Sequence, residues 1–454
     1  MAGKAPSSAG RDRTGSLPGR ASGRLSRGIA STGLAIVLLV SVAAAAIAGC
    51  GGSGTPSTSP SAQPPAQGAQ NCAWPTLYSV QSINADNPDS AAVVWGQPIV
   101  ADPNTTIQIA GKFPDARYAS LSVYTPYGNA FTANGVSSSL PDYRIRPQPG
   151  SQNPWQQTAQ PGGSFAVTIS ASATPNQGNV LPMPAGTSGQ HPGYLVYRVY
   201  LPTGGNASVQ PPALTITEGH TAHLLAECAT HTTPVKAEPA PASTSGTPAG
   251  TPTTAPPASR FYKPPLTGGG ANADSDYVWA YFVRPAATDV VVVTAKAPTS
   301  PPGSHPTPWP DPKDDMRYWS MCLVVGTASL PTVANTLANG TTDYGCRADD
   351  ATKVDANGDY TYVIGTETQR AAIERLPGVT FLPFSSTAST PLYLLLLRNT
   401  LVSTPFTQSV RNVTQTQNPA AAAAAMGPYY PQMSTCPLTT LTTGGPQACL
   451  SGQS

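Results

Sequence analysis

Arg117-Tyr118-Ala119-Ser120 returns later in the chain as Arg317-Tyr318-Trp319-Ser320, and this repetition decides the fold. In the first copy Ala119, Leu121 and Val123 fall on one face of a period-two segment, the alternation of a strand with one buried side. Working outward, other anchors recur in the same order. Asn87-Pro88-Asp89-Ser90 before Trp95 is echoed by Asn272-Ala273-Asp274-Ser275 before Trp279, and Lys112-Phe113-Pro114 by Lys296-Ala297-Pro298. Asn179-Val180-Leu181-Pro182 is echoed by Val379-Thr380-Phe381-Leu382-Pro383, and the strand ending in Arg198 by the one ending in Arg398. Order kept over this many anchors marks two copies of one unit.

Trp95 to Trp279 and Lys112 to Lys296 are 184 positions apart, whereas Arg117 to Arg317 and Arg198 to Arg398 are 200 apart. The difference places a 16-residue insertion in the second copy, between Pro298 and Arg317. It holds Pro301, Pro302, Pro306, Pro308, Trp309, Pro310 and Pro312, a composition that predicts a stiff, partly polyproline-like surface loop.

Other segments also read as strands. Thr105 to Ala110 alternates, Phe165, Val167 and Ile169 share a face, Val290 to Val293 is a continuous buried run, and Tyr360, Tyr362 and Ile364 line up. Asn357-Gly358 predicts a type I′ hairpin. Helices are expected only at Thr366 to Leu376, stopped by Pro377, and at Pro331 to Leu337. The fold class is all-β: two tandem antiparallel β-sandwich, jelly-roll-like domains joined by a Pro/Ala/Thr-rich linker.

The order Arg-Tyr-x-Ser, then Leu-Pro, then a Tyr/Leu-rich strand ending in Arg resembles an uncharacterised bacterial jelly-roll domain family of unknown function. The second copy, with Met316-Arg317-Tyr318-Trp319-Ser320 and Met426-Gly427-Pro428-Tyr429-Tyr430-Pro431, is similar to secreted or lipid-anchored proteins of high-GC bacteria. The likeness covers most of residues 80 to 436. It implies a fold and a compartment, and brings no reaction or ligand.

The N-terminal region supplies an address. After Arg20, Arg24 and Arg27 comes an uncharged run from Leu34 to Ile47, closed by Ile47-Ala48-Gly49-Cys50. This reads as a bacterial lipobox, with residues 1–49 a lipoprotein signal peptide and Cys50 the lipidated N-terminus. The other reading of Ile29 to Ala48 is an uncleaved transmembrane helix. The expected location is the outer face of the cell membrane. Residues 50–70 form a disordered tether of roughly 25 Å mean reach. Residues 71–230 and 260–454 are then the two domains, separated by a Pro-rich linker at 231–259.

Among 454 residues only 10% are charged, 51 are proline and 42 glycine, and the formal net charge is +2. No basic surface for nucleic acid is indicated. Apart from Cys50 the chain has six cysteines, which in an exported protein point to disulfides. Six cysteines permit fifteen pairings, and spacing does not choose among them. The preferred set is Cys72 with Cys228, Cys322 with Cys346, and Cys436 with Cys449.

Lys112, Arg117, Arg198, Lys296, Arg317 and Arg398 form the sharpest candidate site, since both copies keep the same cations in a charge-poor chain. Adjacent strands would let them clamp a carboxylate or phosphate. The alternative is structural ion pairing with Asp115, Asp314, Asp315 or another carboxylate. Trp95, Trp155, Trp279, Trp309 and Trp319 are candidates for stacking on sugar rings, although the repeated Trp95 and Trp279 suit the core better. Trp309, in the inserted loop, is the first expected to touch a partner.

His220, His223 and His231 are spaced too loosely for a zinc site, and Asp349 to Asp359 reads as a hairpin turn rather than a calcium loop. Neither a metal nor a cofactor is expected. Gly-x-Ser-x-Gly, His-Glu-x-x-His and a phosphate loop are absent from the sequence. The function expected is a non-catalytic, membrane-anchored binding or scaffold module of the cell envelope, with a glycan, lipid or protein partner. The alternatives are a hydrolase of envelope polysaccharide, drawing on Asp289, Asp314, Asp315, Asp359 or Glu367, and a structural accessory that pairs through strand edges.

Overall fold

The computed structural model describes residues 72–175, 177–188, 191–231, 260–265 and 271–451. The signal at 1–49, Cys50, the tether and linker residues 232–259 lie outside the described residues.

Eight strands of the first lobe recur in the second. In lobe 1 they are β1 (Ala92–Ile99), β2 (Thr105–Lys112), β3 (Ala116–Tyr124), β4 (Ser139–Pro141), β5 (Ser164–Ser170), β6 (Val180–Pro182), β7 (Gly193–Pro202) and β8 (Ala213–Glu218). In lobe 2 they are β9 (Ser275–Val283), β10 (Asp289–Lys296), β11 (Met316–Val325), β12 (Cys346–Ala348), β13 (Asp359–Gly365), β14 (Val379–Pro383), β15 (Leu392–Val402) and β16 (Gln432–Pro437). The front sheet of lobe 1 runs β1-β7-β3-β4, with Thr76–Tyr78 outside β1; that of lobe 2 runs β9-β15-β11-β12. The back sheets run β8-β2-β5-β6, with Thr221–Leu224 outside β8, and β16-β10-β13-β14. The register repeats too: Arg198 lies opposite Ser120 as Arg398 lies opposite Ser320.

The sheets are not wholly antiparallel, which corrects the expectation. β5–β6 and β13–β14 are parallel in both lobes. A parallel neighbour needs a crossover rather than a tight hairpin. Lobe 1 makes the crossover between Ser170 and Val180; lobe 2 uses a helix, α1 (Glu367–Ile373), whose start is fixed by a Thr366/Gln369 capping box.

The helix expected at Pro331 to Leu337 is instead a strand, Ala334–Thr336, paired with Thr342–Tyr344. Gly340 takes φ 80° and its N–H reaches Leu337 O, so a tight turn gives the residues before it a partner strand. The turn at Asn357-Gly358 is also not type I′, which needs two residues at positive φ. Here Gly358 alone adopts φ 80°, its N–H closing on Asp355 O at 3.0 Å, while the Asp355 carboxylate accepts from the N–H groups of Asn357 and Asp359.

Each sandwich buries its own core. In lobe 1 Ala119, Leu121, Val123, Phe165, Val167, Ile169, Leu195, Tyr197 and Val199 meet between the sheets. In lobe 2 Trp319, Met321, Leu323, Tyr360, Tyr362, Ile364, Leu395 and Leu397 do the same. The opposite faces of β3 and β11 are also covered, so both strands are buried along their whole length. Tyr118, Tyr200, Tyr318, Leu401 and Trp309 form a second apolar cluster there, drawn from both lobes. The front sheets therefore face one another, and both lobes belong to one compact unit. Disulfides join Cys72–Cys228, Cys322–Cys346 and Cys436–Cys449.

Candidate functional site

The repeated arginines converge on the contact between lobes. The Arg117 Nη1 of β3 lies 3.0 Å from Asp349 of lobe 2, and the Arg317 Nη1 of β11 lies 3.4 Å from Asp142 of lobe 1. Each arginine also donates to the other's main chain: Arg117 Nη1 to Arg317 O at 3.3 Å, and Arg317 Nη1 to Arg117 O at 3.0 Å. Both arginines are 0% exposed. Asp142 and Asp349 occupy equivalent 3-10 turns after β4 and β12. Contacts in which i meets j and the equivalent of j meets the equivalent of i define an isologous interface, the kind made by a two-fold dimer.

The Asp-Ser anchors take part in the same exchange. Tyr118 OH donates to Asp274 at 2.8 Å, and Tyr318 OH donates to Asp89 at 2.7 Å. Asp89 also accepts from Ser320 Oγ at 2.6 Å and from Arg398, whose guanidinium it pairs. Tyr118, Tyr200 and Tyr318 pack edge-on between these charges, with ring centroids 5.4 and 5.1 Å apart. Arg198 lies over the Tyr124 ring.

The inserted loop is a strap rather than a free surface loop. Gly303 O accepts from Arg117, His305 Nδ1 lies 2.9 Å from Asp115, Ser304 donates to Thr203, and Trp309 N–H donates to Trp155 O at 2.8 Å. Trp309 is 8% exposed and holds the Arg317 guanidinium 5.0 Å from its ring centroid. Trp309 is thus occupied inside the protein, because the loop lies across lobe 1 and closes over the ion pairs. Trp319 and Trp155 are likewise buried, their indoles donating to Pro298 O and Arg117 O. The exposed aromatic platform expected for a sugar is not what these tryptophans form.

Neither lysine joins the cluster. Lys112 is exposed at the end of β2, and Lys296 donates to Asn357 O in the turn described above. The six repeated cations are therefore not one clamp; Arg117, Arg317 and Arg398 are committed to carboxylates of the opposite lobe. Sequence reasoning missed Asp142, and read Asp349 only as part of a hairpin turn, whereas it sits in a 3-10 turn and pairs with Arg117. It quoted Asp89 and Asp274 without seeing that a carboxylate repeated beside a repeated arginine is its natural counter-charge.

Burial pushes the Asp142 and Asp349 carboxyls up to about 6 against the opposing pull of Arg317 and Arg117. Burial also raises Asp274. Both Asp142 and Asp349 remain mostly ionised at neutral pH. Because their folded pKa exceeds the ordinary 3.8, the folded chain holds protons more tightly between those values than the unfolded chain does. Their contribution to stability therefore grows as pH falls from 7 through 6 toward 4, and shrinks as pH rises. The urea midpoint should be higher at pH 5 than at pH 7, with a smaller difference in an Asp142→Asn variant. A midpoint that falls on acidification, equally in both proteins, would contradict this assignment.

Asp89 also lies close to Cys322 and Cys346, a trio with metal-ligand chemistry. The two sulfurs are bonded to each other and the carboxylate is taken by Arg398, Tyr318 and Ser320, so these groups do not fit a cation. Of the carboxylates available to a glycosidase, Glu367 pairs with Arg370 and Asp315 accepts from Thr299 N–H. A cavity of about 240 Å³ on lobe 1 has no Asp or Glu in its wall.

Fold and site together define a two-lobed β-sandwich protein whose lobes are locked by exchanged ion pairs. No protein-family model matches the chain, and no curated protein matches it. Among solved structures, an uncharacterized protein from Burkholderia cenocepacia is similar over 82% of this chain and 83% of its own, at 14% identity and a TM-score of 0.45. An anti-sigma factor domain-containing protein is matched over 77% of this chain and 80% of its own, at 7% identity and a TM-score of 0.16. Neither likeness supports a functional argument.

Proposed function

We propose that this chain is a lipid-anchored protein of the cell envelope that works without catalysis, as a binding or scaffold module held off the membrane on a short tether. The observation that carries the non-catalytic part is the commitment of Arg117, Arg317, Arg398, Asp89, Asp142 and Asp349 to locking the lobes together. Perturbed carboxylates usually draw attention as catalytic groups, but here the same perturbation comes from a structural ion-pair network. The compartment rests on Ile47-Ala48-Gly49-Cys50 and on the three disulfides, which suit an oxidising exterior.

The test is to express the wild type and a Cys50→Ala variant in a bacterium that processes lipoproteins, label with an alkynyl fatty acid, and fractionate. The wild type should be labelled and membrane-bound, and the variant unlabelled and unprocessed. Equal labelling of both would sink the anchor. Release of products from envelope polysaccharide by the purified wild type would sink the non-catalytic reading.

A further inference from the structure

We infer that the seam selects its partner: each lobe presents a face that would also accept a second copy of itself, and the inserted strap, meeting a long loop of lobe 1, makes the unlike pair the one that forms. The seam face is thus a docking surface for a second copy of this chain, closed by the chain's own other half.

Each face carries both halves of the reciprocal contact. Lobe 1 supplies Arg117 and Tyr118 as donors and Asp142 and Asp89 as acceptors; lobe 2 supplies Arg317 and Tyr318 with Asp349 and Asp274. Two copies of lobe 1 would pair Arg117 with Asp142 and Tyr118 with Asp89. Two copies of lobe 2 would pair Arg317 with Asp349 and Tyr318 with Asp274. A two-fold face of this kind is self-complementary, so these charges and hydroxyls alone do not tell like from unlike. The disulfides do not fix the choice either, since each of the three lies within one lobe.

What differs between the lobes is a pair of insertions, and they meet. Residues 145–163 join the 3-10 turn to β5 in lobe 1, where residues 352–358 suffice in lobe 2. The longer loop carries Trp155, fully buried, whose indole donates to Arg117 O at 3.1 Å. The strap carries Trp309, which covers the Arg317 guanidinium. Each tryptophan therefore sits on the arginine of its own lobe, and the two join across the seam where Trp309 N–H donates to Trp155 O at 2.8 Å.

Either like pairing breaks this join. Two copies of lobe 1 bring two long loops and no strap, so the Arg117 guanidinium loses its Gly303 O acceptor in a place where it is wholly buried. Two copies of lobe 2 bring two straps and no long loop. The ground on which a second strap would lie is already taken there: Asp315, in the position of Asp115, accepts from Thr299 N–H, and Arg317 lies under Trp309. Specificity is a difference of affinities, and both wrong pairings lose contacts that the right one keeps. Asn84, which exchanges hydrogen bonds with Thr332 across the seam, adds to the same preference.

The test cuts the folded chain, in detergent, at a protease recognition site placed between residues 232 and 259, which leaves two lobes held by the seam alone. Each lobe keeps its own core and, in urea without reductant, its own disulfides. After dissociation and removal of the urea, native mass spectrometry separates the three possible pairs by mass. In the wild type the unlike pair should exceed either like pair at least about tenfold. Deletion of residues 299–314 gives lobe 2 the short link that lobe 1 has at Pro114-Asp115, and should bring that excess down toward the roughly twofold of random pairing. Trp309→Ala should fall between the two. A strap that only strengthened the seam would reduce every pair together and leave their proportions unchanged. Unchanged proportions in both variants, or random proportions already in the wild type, would overturn the selection. If no pair re-forms after the deletion, Trp309→Ala decides alone, and proportions equal to those of the wild type would sink it.

Discussion

Replacing Asp89 with alanine should cost on the order of 5 kcal/mol of unfolding free energy, the largest effect expected of any single substitution in this chain. One buried carboxylate serves four donors. Oδ2 accepts from Tyr318 OH, Ser320 Oγ and Arg398, and Oδ1 accepts from Ala91 N–H at 3.0 Å. Three of the four partners belong to the other lobe. Without the carboxylate, the Arg398 charge stays in a place where its side chain is 4% exposed, and removal of one member of a buried pair typically costs about 3–5 kcal/mol. Tyr318 and Ser320 would also lose their acceptor, each at a further cost of about 1–3 kcal/mol, partly relieved by local rearrangement.

Denaturant titration of wild type, Asp89→Ala, Arg398→Met and the double variant would measure this. The double variant should recover much of the loss, since removing both charges leaves neither one unpaired. A loss below about 1 kcal/mol in Asp89→Ala would mean that the lobe contact does not depend on this pair.

The second large effect concerns Cys72–Cys228. Its sequence separation is 156, against 24 and 13 for the other two disulfides. In the chain-entropy model the long link restricts the unfolded chain by about 5 kcal/mol and each short one by about 3. The long link also secures the start of the described chain. Ala73 bridges Glu227, the Trp74 indole donates to Pro212 O at 2.6 Å, and Trp74 N–H donates to Gln97 Oε1. Changing Cys72 and Cys228 together to serine should therefore lower the melting temperature more than the same change at Cys436 and Cys449. The reverse order, measured by calorimetry, would show that native-state packing rather than loop length sets the value of these links.

The duplication was legible because polar and aromatic anchors stand out in a chain with so little charge. Arg117 and Arg317 announced equivalent strands, and the ladders place them so. The inward faces of Ala119-Leu121-Val123 and Phe165-Val167-Ile169 followed from period two. What period two does not show is that β3 and β11 are covered on both sides, because the second cover comes from the other copy. For the same reason the fate of Trp309 was hidden. A proline-rich insertion looks like surface, and only the position of lobe 1 beneath it makes it a strap. The parallel β5–β6 and β13–β14 pairs were equally out of reach, since the direction of a strand of three or five residues depends on where its crossover lands.

An isologous contact inside one polypeptide changes what substitution can do. In a homodimer any new residue appears twice, so a change that serves one protomer is imposed on the other. Here the two partners are encoded separately while the contact between them remains reciprocal. One lobe has gained a helix and an internal Asp343–Arg370 pair, while the other keeps a hollow flanked by Arg144 and Arg146 at the corresponding place. Joining two similar halves in a single gene has let their outer surfaces diverge, without disturbing the seam that holds them.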